Sequence, residues 1–185
     1  MVKELKKQGI YENTVVVFFS DNGGPTKNNG SINAPFNGSK GILLEGGIRI
    51  PFVISYPKKL KKGVYSNPIT SLDLMPTFVE LAGGKITEKD KLDGVNIFPY
   101  VTNEIQGVPH QNMMWRFTVS AGIRKRNWKL IRLPDRIPLL FNLDNDPSEQ
   151  DNMALENLDL VKSMLKELGD WDVSSPHILF LEGAR

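Results

Sequence analysis

The sequence has no cysteine, only two histidines, and no apolar run that approaches the length of a membrane span. A helix needs about 20 consecutive apolar residues to cross a bilayer, so no membrane insertion is expected. The N-terminus also lacks the order of basic, apolar and small residues that marks a signal peptide. The absence of cysteine neither supports nor excludes an exported protein, so the compartment stays open.

The chain also lacks a charge excess of either sign. It has 23 basic and 21 acidic residues, for a net charge of +2, which is too balanced to indicate nucleic acid or an anionic membrane as a partner. The densest basic stretch, residues 58–62, stands next to Gly63 and is typical of a solvated loop. With 40% hydrophobic residues over 185 positions, the chain can bury a sizeable core.

An apolar run at residues 14–19 leads directly into Asp21 and Asn22. Apolar and polar residues do not alternate in this run, which indicates a strand buried on both faces. Ligand sites in α/β sheets form beyond the carboxyl ends of such strands. A carboxylate beside an amide oxygen offers two hard ligands suited to calcium or magnesium. The same Asp-Asn-Gly-Gly sequence also fits a simple turn, so both interpretations stay open.

Two glycine-rich motifs follow at residues 38–41 and 45–51. Small residues on both sides of Lys40 would let the backbone and a ligand approach closely, whereas a lysine elsewhere is by default a solvated surface residue. Glu45 and Arg49 stand four positions apart in a tight glycine loop. We expect them to pair with each other or to bond the local backbone, and so to hold the loop without acting directly in catalysis.

In this order, the segments at residues 16–24, 38–41 and 45–51 resemble the C-terminal half of the sulfatase family, within the alkaline-phosphatase-like superfamily. Residues 71–83 resemble the helix that follows in those enzymes. Residues 139–149, Leu-Leu-Phe-Asn-Leu-Asp-Asn-Asp-Pro-Ser-Glu, resemble their late hairpin and turn. The resemblance extends along most of the chain.

The resemblance implies a sulfuric ester hydrolase that acts on a sulfated small molecule or sulfated carbohydrate. Asp21 and Asn22 would supply half of a calcium site, and Lys40 would contact a sulfate oxygen as a catalytic and substrate-binding residue. The chemistry agrees with these roles, because negative charge develops on the oxygens of a cleaving sulfate ester. A divalent cation and an ammonium group held nearby stabilise that charge.

The nucleophile of the resembled family is a formylglycine made in a Cys/Ser-x-Pro-x-Arg motif, and this motif is missing here. Residues 66–70, Ser-Asn-Pro-Ile-Thr, have threonine where arginine is required. We therefore expect a C-terminal portion that is inactive alone and whose partner is the missing N-terminal half, with two further aspartates for the calcium. Such sulfatases are commonly periplasmic, secreted or lysosomal. A related phosphatase or phosphodiesterase, or a non-catalytic binding remnant, stays as an alternative.

The predicted organisation divides near residue 105. Residues 1–105 are predicted to form the edge of an alkaline-phosphatase-like doubly wound α/β sheet, with a long polar loop at residues 23–37 beside the site. Residues 106–185 are predicted to form a small antiparallel sheet with a covering helix at residues 155–168. The core-facing stripe of this helix is predicted to consist of Leu158, Val161, Leu165 and Leu168. In the same subdomain, Arg116 is a candidate contact for an anionic substrate, and neither His110 nor His177 is assigned a role.

Overall fold

The computed structural model describes residues 1–27 and 29–175. These residues form a mixed α/β fold, and His177 lies outside them. The helices are α1 (Val2–Lys7), α2 (Glu45–Ile48), α3 (Leu74–Leu81), α4 (Phe98–Val101) and α5 (Leu158–Ser174). The strands are β1 (Val16–Phe19), β2 (Phe52–Ser55), β3 (Asn112–Phe117), β4 (Ser120–Lys125), β5 (Trp128–Arg132) and β6 (Leu139–Asn142), and three short 3₁₀ helices cover Tyr11–Asn13, Ser71–Asp73 and Glu88–Asp90.

The last four strands form an antiparallel sheet in the order β3-β4-β5-β6. Ile123 on β4 lies opposite Leu130 on β5, which in turn lies opposite Leu140 on β6. Short turns join consecutive strands, so each strand pairs with its neighbour in sequence. This confirms the predicted small antiparallel sheet with a covering helix.

One face of this sheet packs against α5. Ile123, Leu130 and Leu140 are fully buried there, and Met164 and Leu168 meet them from the helix. Apolar side chains at helical spacing, Val161, Leu165 and Leu168, therefore form the predicted core stripe, with two differences. Leu158 is exposed because it lies at the first position of α5, before the part of the helix that covers the core cluster, and Met164 fills a core position that the predicted stripe omits.

The opposite face of the sheet buries a second apolar cluster. Ile131 and Phe141 contribute from the sheet, and Leu43 contributes from the segment just before α2. Ile48 at the end of α2 packs against the same cluster. The sheet therefore has one face covered by a helix and the other covered by the loop that carries the predicted site residues.

The described residues form two compact units, and the unit considered so far draws on the ranges Phe19–Phe52 and Asn112–Arg185. The other unit, Met1–Phe18 with Val53–Gln111, has the buried Asp73 near its centre. Asp73 accepts hydrogen bonds from the backbone N–H groups of Thr70 and Val95 at 2.8 and 2.9 Å. The bond from Thr70 caps the predicted helix at residues 71–83, which is a 3₁₀ turn followed by α3, and the bond from Val95 ties a later segment to it. The division predicted near residue 105 stays a prediction.

Strand β1 differs from its predicted environment. A strand buried on both faces was predicted, but Phe18 is 70% exposed and Phe19 is 38% exposed. The reason is that, within the described residues, β1 pairs only with β2 and forms a two-stranded sheet. The doubly wound sheet edge therefore stays a prediction. Among the described helices, none is both long and apolar enough to cross a membrane.

Candidate active-site loop

The Asp21-Asn22 turn is held by its neighbours on both sides. The Ser20 hydroxyl donates a hydrogen bond to the Asn22 carbonyl at 2.7 Å, and the Gly23 N–H donates to the Gly47 carbonyl at 2.9 Å. A Cβ atom at Gly23 would lie 1.8 Å from the Gly46 carbonyl oxygen. Only glycine allows this approach, so the turn is fixed against α2 while Asp21 stays exposed and Asn22 is half-buried.

The side chain of Asn33 joins this turn to the segment that carries Lys40. Its Oδ1 accepts a hydrogen bond from the Gly24 N–H at 2.9 Å. Its Nδ2 donates to the Gly24 carbonyl at 2.9 Å and to the Gly38 carbonyl at 3.1 Å. One amide group thus satisfies three backbone groups and holds the two ends of the long polar loop together. Residue patterns alone did not single out Asn33.

Lys40 is exposed, and a backbone hydrogen bond fixes its position in the loop. Its N–H donates to the Gly24 carbonyl at 3.3 Å, two residues after Asn22. The glycines on either side have positive φ, +91° at Gly38 and +85° at Gly41, which L side chains rarely adopt. The loop thus brings the segment of Lys40 next to the Asp21-Asn22 turn, as the prediction of a site lined by this loop requires.

The ring of Phe117, at the end of β3, lies beside this segment. A Cβ atom built on Gly41 would lie 3.6 Å from the Phe117 ring, in ordinary van der Waals contact. About half of the Phe117 residue is exposed. A half-exposed aromatic ring therefore lies next to the residue that follows Lys40, a feature that the sequence motifs did not indicate.

The roles predicted for Asp21, Asn22 and Lys40 stay predictions. The described residues contain no group of three or more histidine, cysteine, aspartate or glutamate side chains placed to hold a metal ion. Asp21 and Asn22 provide two oxygen donors of the type calcium prefers, and a calcium ion takes six to eight oxygen ligands. The turn therefore fits calcium in its chemistry but supplies only part of a complete ligand set.

Helix α2 carries a buried carboxylate into the sheet. Glu45 lies at the start of α2, and its Oε1 contacts the Lys129 Nζ at 2.9 Å. The other contact of Lys129 is the Glu149 Oε1, at 2.8 Å. Glu149 also accepts the Glu45 backbone N–H through its Oε2 at 2.5 Å. The three residues form a closed cluster, and the Lys129 side chain is fully buried within it.

The predicted pairing of Glu45 with Arg49 is present, with 3.5 Å between the Arg49 Nη1 and the Glu45 Oε2. Arg49 also stacks over the Phe36 ring, with its guanidinium carbon 4.5 Å from the ring centroid. Burial raises the pKa of Glu149, and the charge of Lys129 opposes that rise. Sequence reasoning missed Lys129, whose position in the apolar strand Trp-Lys-Leu-Ile-Arg was the available signal.

Two further residues have structural partners. The His110 Nε2 lies 2.8 and 3.0 Å from the carboxylate oxygens of Asp73, so this histidine belongs to the buried centre of its own unit. The Arg116 Nη1 donates to Asp172 at 2.9 Å, and Arg132 donates to the other oxygen of Asp172 at 2.7 Å. The two guanidinium groups lower the pKa of Asp172. These contacts tie the sheet to α5 and give Arg116 a structural role.

Comparison with known proteins finds relatives that match the segments of the candidate site. The sequence model of the sulfatase family matches residues 1–84, which include the Asp21-Asn22 turn, Lys40 and α2. The uncharacterized sulfatase YdeN of Escherichia coli strain K12 is 35% identical over 127 residues, which cover 69% of this chain and 23% of that protein. The chain belongs to the sulfatase family. Its relationship extends beyond the matched segment, because a sulfatase of Formosa agariphila is 32% identical over 90% of this chain.

The fold is also found in solved structures. The crystal structure of Ps i-CgsB superposes with a TM-score of 0.83 at 36% identity, covering 92% of this chain and 39% of that one. The same protein has been solved in complex with k-i-k-neocarrahexaose. The chain spans about a third of the Formosa agariphila sulfatase, 34% of its length, and a similar share of Ps i-CgsB. It therefore corresponds to part of the length of these relatives.

Proposed function

We propose that this chain forms part of the catalytic domain of a sulfatase that hydrolyses sulfate esters. In this proposal Lys40 contacts a sulfate oxygen, and Asp21 and Asn22 contribute ligands to a calcium ion. The observation that carries the proposal is the loop itself. Both motif segments are joined through the Gly24 carbonyl, which accepts hydrogen bonds from the Lys40 N–H and from the Asn33 side chain.

Lys40 is suited to bind an anionic group while that group is being transferred. Its ammonium group is a compact charge on an exposed side chain, and glycines on both sides leave room for a ligand. As a sulfate ester cleaves, negative charge spreads over the sulfuryl oxygens and the leaving oxygen. A fixed positive charge stabilises that state more than it stabilises the starting ester, which is the requirement for catalysis.

Asp21 and Asn22 fit calcium as the hard oxygen donors of a shared site. When bound, calcium would supply positive charge beside the sulfuryl oxygens. The chain's own contribution is to hold the donors: the Ser20 hydroxyl and the Gly23 N–H fix the turn that carries them. The remaining ligands and the formylglycine nucleophile would come from another part of the catalytic domain.

A sulfated carbohydrate is the substrate class that we propose. The related Ps i-CgsB binds k-i-k-neocarrahexaose, an oligosaccharide. In this chain, the half-exposed ring of Phe117 lies beside Gly41, next to Lys40. A half-exposed aromatic ring beside the segment of a sulfate-binding lysine suits a sugar or aryl ring that carries a sulfate ester.

The partner that we propose is the remaining half of the catalytic domain. Phe18 on β1 is 70% exposed and Val53 on β2 is 59% exposed. Exposed apolar side chains on both strands of a short two-stranded sheet indicate a surface that is covered in the complete domain. On this proposal, the isolated chain has no sulfatase activity, because it carries neither the nucleophile nor a complete calcium site.

The test is an assay of the protein encoded by the complete source gene, with matched aryl sulfate and aryl phosphate substrates and with a Lys40→Ala variant as comparison. We expect hydrolysis of the sulfate, loss of activity on removal of calcium, and a large fall in kcat for the variant. Preference for the phosphate ester would instead indicate a phosphatase or phosphodiesterase. Absence of any hydrolysis would contradict the enzymatic proposal and favour a non-catalytic binding protein.

A further inference from the structure

Three distant parts of the sequence meet in the buried cluster of Glu45, Lys129 and Glu149. Glu45 belongs to the glycine-rich motif, Lys129 to the centre of β5, and Glu149 to the Asp-Pro-Ser-Glu turn after β6. The Lys129 Nζ lies 2.9 Å from Glu45 and 2.8 Å from Glu149. The cluster is outside the proposed ligand contacts, so its role requires a separate explanation.

Stability alone is a poor explanation for this cluster. A buried ammonium group loses its hydration, and well-packed apolar side chains in its place are often equally or more stabilising. A buried ion cluster does fix the relative positions of its members, because each short contact requires its partner to lie at a defined place. Here Lys129 pairs with two carboxylates, and one of them, that of Glu45, lies at the start of α2.

Helix α2 is in turn the support of the proposed site. The Gly46 N–H donates to the Asn37 carbonyl at 2.6 Å, three residues before Lys40. The Gly47 carbonyl accepts the Gly23 N–H at 2.9 Å, immediately after the Asp21-Asn22 turn. A displacement of α2 would therefore move both proposed binding segments, and α2 is anchored at its first residue by Lys129.

We propose that Lys129 is a positioning residue that fixes α2, and through α2 the Asp21-Asn22 turn and the Lys40 segment, on the four-stranded sheet. In this role Lys129 acts through its contacts with Glu45 and Glu149 and not as a direct ligand contact. The importance of this position for sulfate binding rests on the proposed function above. The mechanical link to the loop does not, so the two can be tested separately.

The experiment compares the 185-residue chain with its Lys129→Arg and Lys129→Met variants. The first readout is hydrogen exchange of the Gly23 and Gly46 amides, which report the two contacts of α2. The Met153 amide, bonded to the Leu140 carbonyl at 2.9 Å, reports the sheet. We expect faster exchange at both glycines in each variant, with Met153 unchanged in Lys129→Arg, because a guanidinium group keeps the charge but not the position of the ammonium group.

The second readout is a titration with inorganic sulfate, followed at the Lys40 and Gly41 amides. We expect several-fold weaker binding in the Lys129→Arg variant than in the unmodified chain. The matched control is Lys125→Met, which removes a partly exposed lysine–glutamate pair, Lys125 with Glu167, from the same sheet. This control should leave the glycine amides and sulfate binding unchanged.

The outcomes separate the two proposals. If the unmodified chain shows no sulfate binding but Lys129→Arg still exposes the Gly23 and Gly46 amides, the positioning role stands and the proposed Lys40 role is in doubt. Unchanged glycine exchange in Lys129→Arg overturns the positioning role. Uniformly faster exchange at the glycines and at Met153 in that variant also overturns it, since the cluster would then serve only general stability.

Discussion

The four-stranded sheet and the site loop at residues 20–47 lie in the same compact unit but are held together by different means. The sheet buries Ile123, Leu130 and Leu140 completely against α5. The loop contains few buried side chains and relies on backbone contacts, among them the Gly23 N–H with the Gly47 carbonyl. In an apolar core, the stability lost on truncating a side chain grows with the volume of the cavity that is left. A close backbone contact, in contrast, has no room for an added atom.

The largest effect is expected in the sheet. Leu140→Ala should lower the free energy of unfolding by about 2–5 kcal/mol, because it removes buried methyl groups and leaves a cavity beneath α5. Urea unfolding followed by circular dichroism measures the change. The control is Leu155→Ala at a position that is 68% exposed, where a change within about 0.5 kcal/mol is expected. Equal losses at both positions would show that the sheet does not form the principal core.

The loop should respond to the smallest possible addition. Gly23→Ala places a methyl group 1.8 Å from the Gly46 carbonyl oxygen, so α2 or the Asp21-Asn22 turn must move. We expect a loss of roughly 1–3 kcal/mol by analogy with overpacked sites, and displaced backbone resonances throughout the loop. Gly63→Ala is the control, because a Cβ there meets no atom within 4 Å. A Gly23→Ala chain with unchanged stability and spectrum would mean that the contact is loose.

The polar contact of the loop is expected to contribute less than its glycines. Asn33→Asp keeps the acceptor for the Gly24 N–H but removes both donors and places a carboxylate against two carbonyl groups. We expect a loss of about 1 kcal/mol, because water can satisfy part of this half-buried site. Asn29→Asp serves as the control, since the Asn29 Oδ1 accepts a hydrogen bond from the Ser31 N–H and a carboxylate oxygen can accept the same bond. Similar unfolding midpoints for the two variants would argue against the role given to Asn33.

The smallest effect concerns pH and the attachment of α5 to the sheet. Arg132 and Arg116 lower the pKa of Asp172 in the folded chain. This carboxylate therefore adds stability above its ordinary pKa of about 4, and that contribution is lost as the pH falls through the lowered folded value. Asp172→Asn should be less stable than the unmodified chain at pH 7, and the difference should shrink as the pH falls through the lowered pKa of Asp172.

The control for this pH effect is Asp170→Asn, whose pair with Lys166 lies on the exposed side of α5. Exposed pairs contribute little, so its stability difference should be small at every pH. The raised pKa of Glu149 acts in the opposite sense, adding stability at low pH that is lost as the pH rises through the raised value. Because both variants retain Glu149, its contribution cancels in the comparison. A difference for Asp172→Asn that is constant with pH would contradict the ion-pair explanation.

Local sequence patterns predicted much of the fold. The apolar run at residues 14–19 located β1, a small antiparallel sheet with a covering helix was predicted within residues 106–185, and the Thr70 to Asp73 capping pair marks the helical segment that was predicted. The extent of burial was less predictable. The run at residues 14–19 predicts a fully buried strand, yet Phe18 is exposed. The prediction failed because a short stretch of sequence does not show which neighbouring strands are present to cover it.

The sequence by itself determined the family, through motifs whose glycines and polar residues stand at short, fixed spacings around Asp21, Asn22 and Lys40. Only the tertiary structure decided that Lys129 joins Glu45 and Glu149, since 84 residues separate Lys129 from Glu45 and 104 separate Glu45 from Glu149. The physical reason is that local preferences act over a few residues, whereas a buried charge is stabilised only by the partners that folding brings to it.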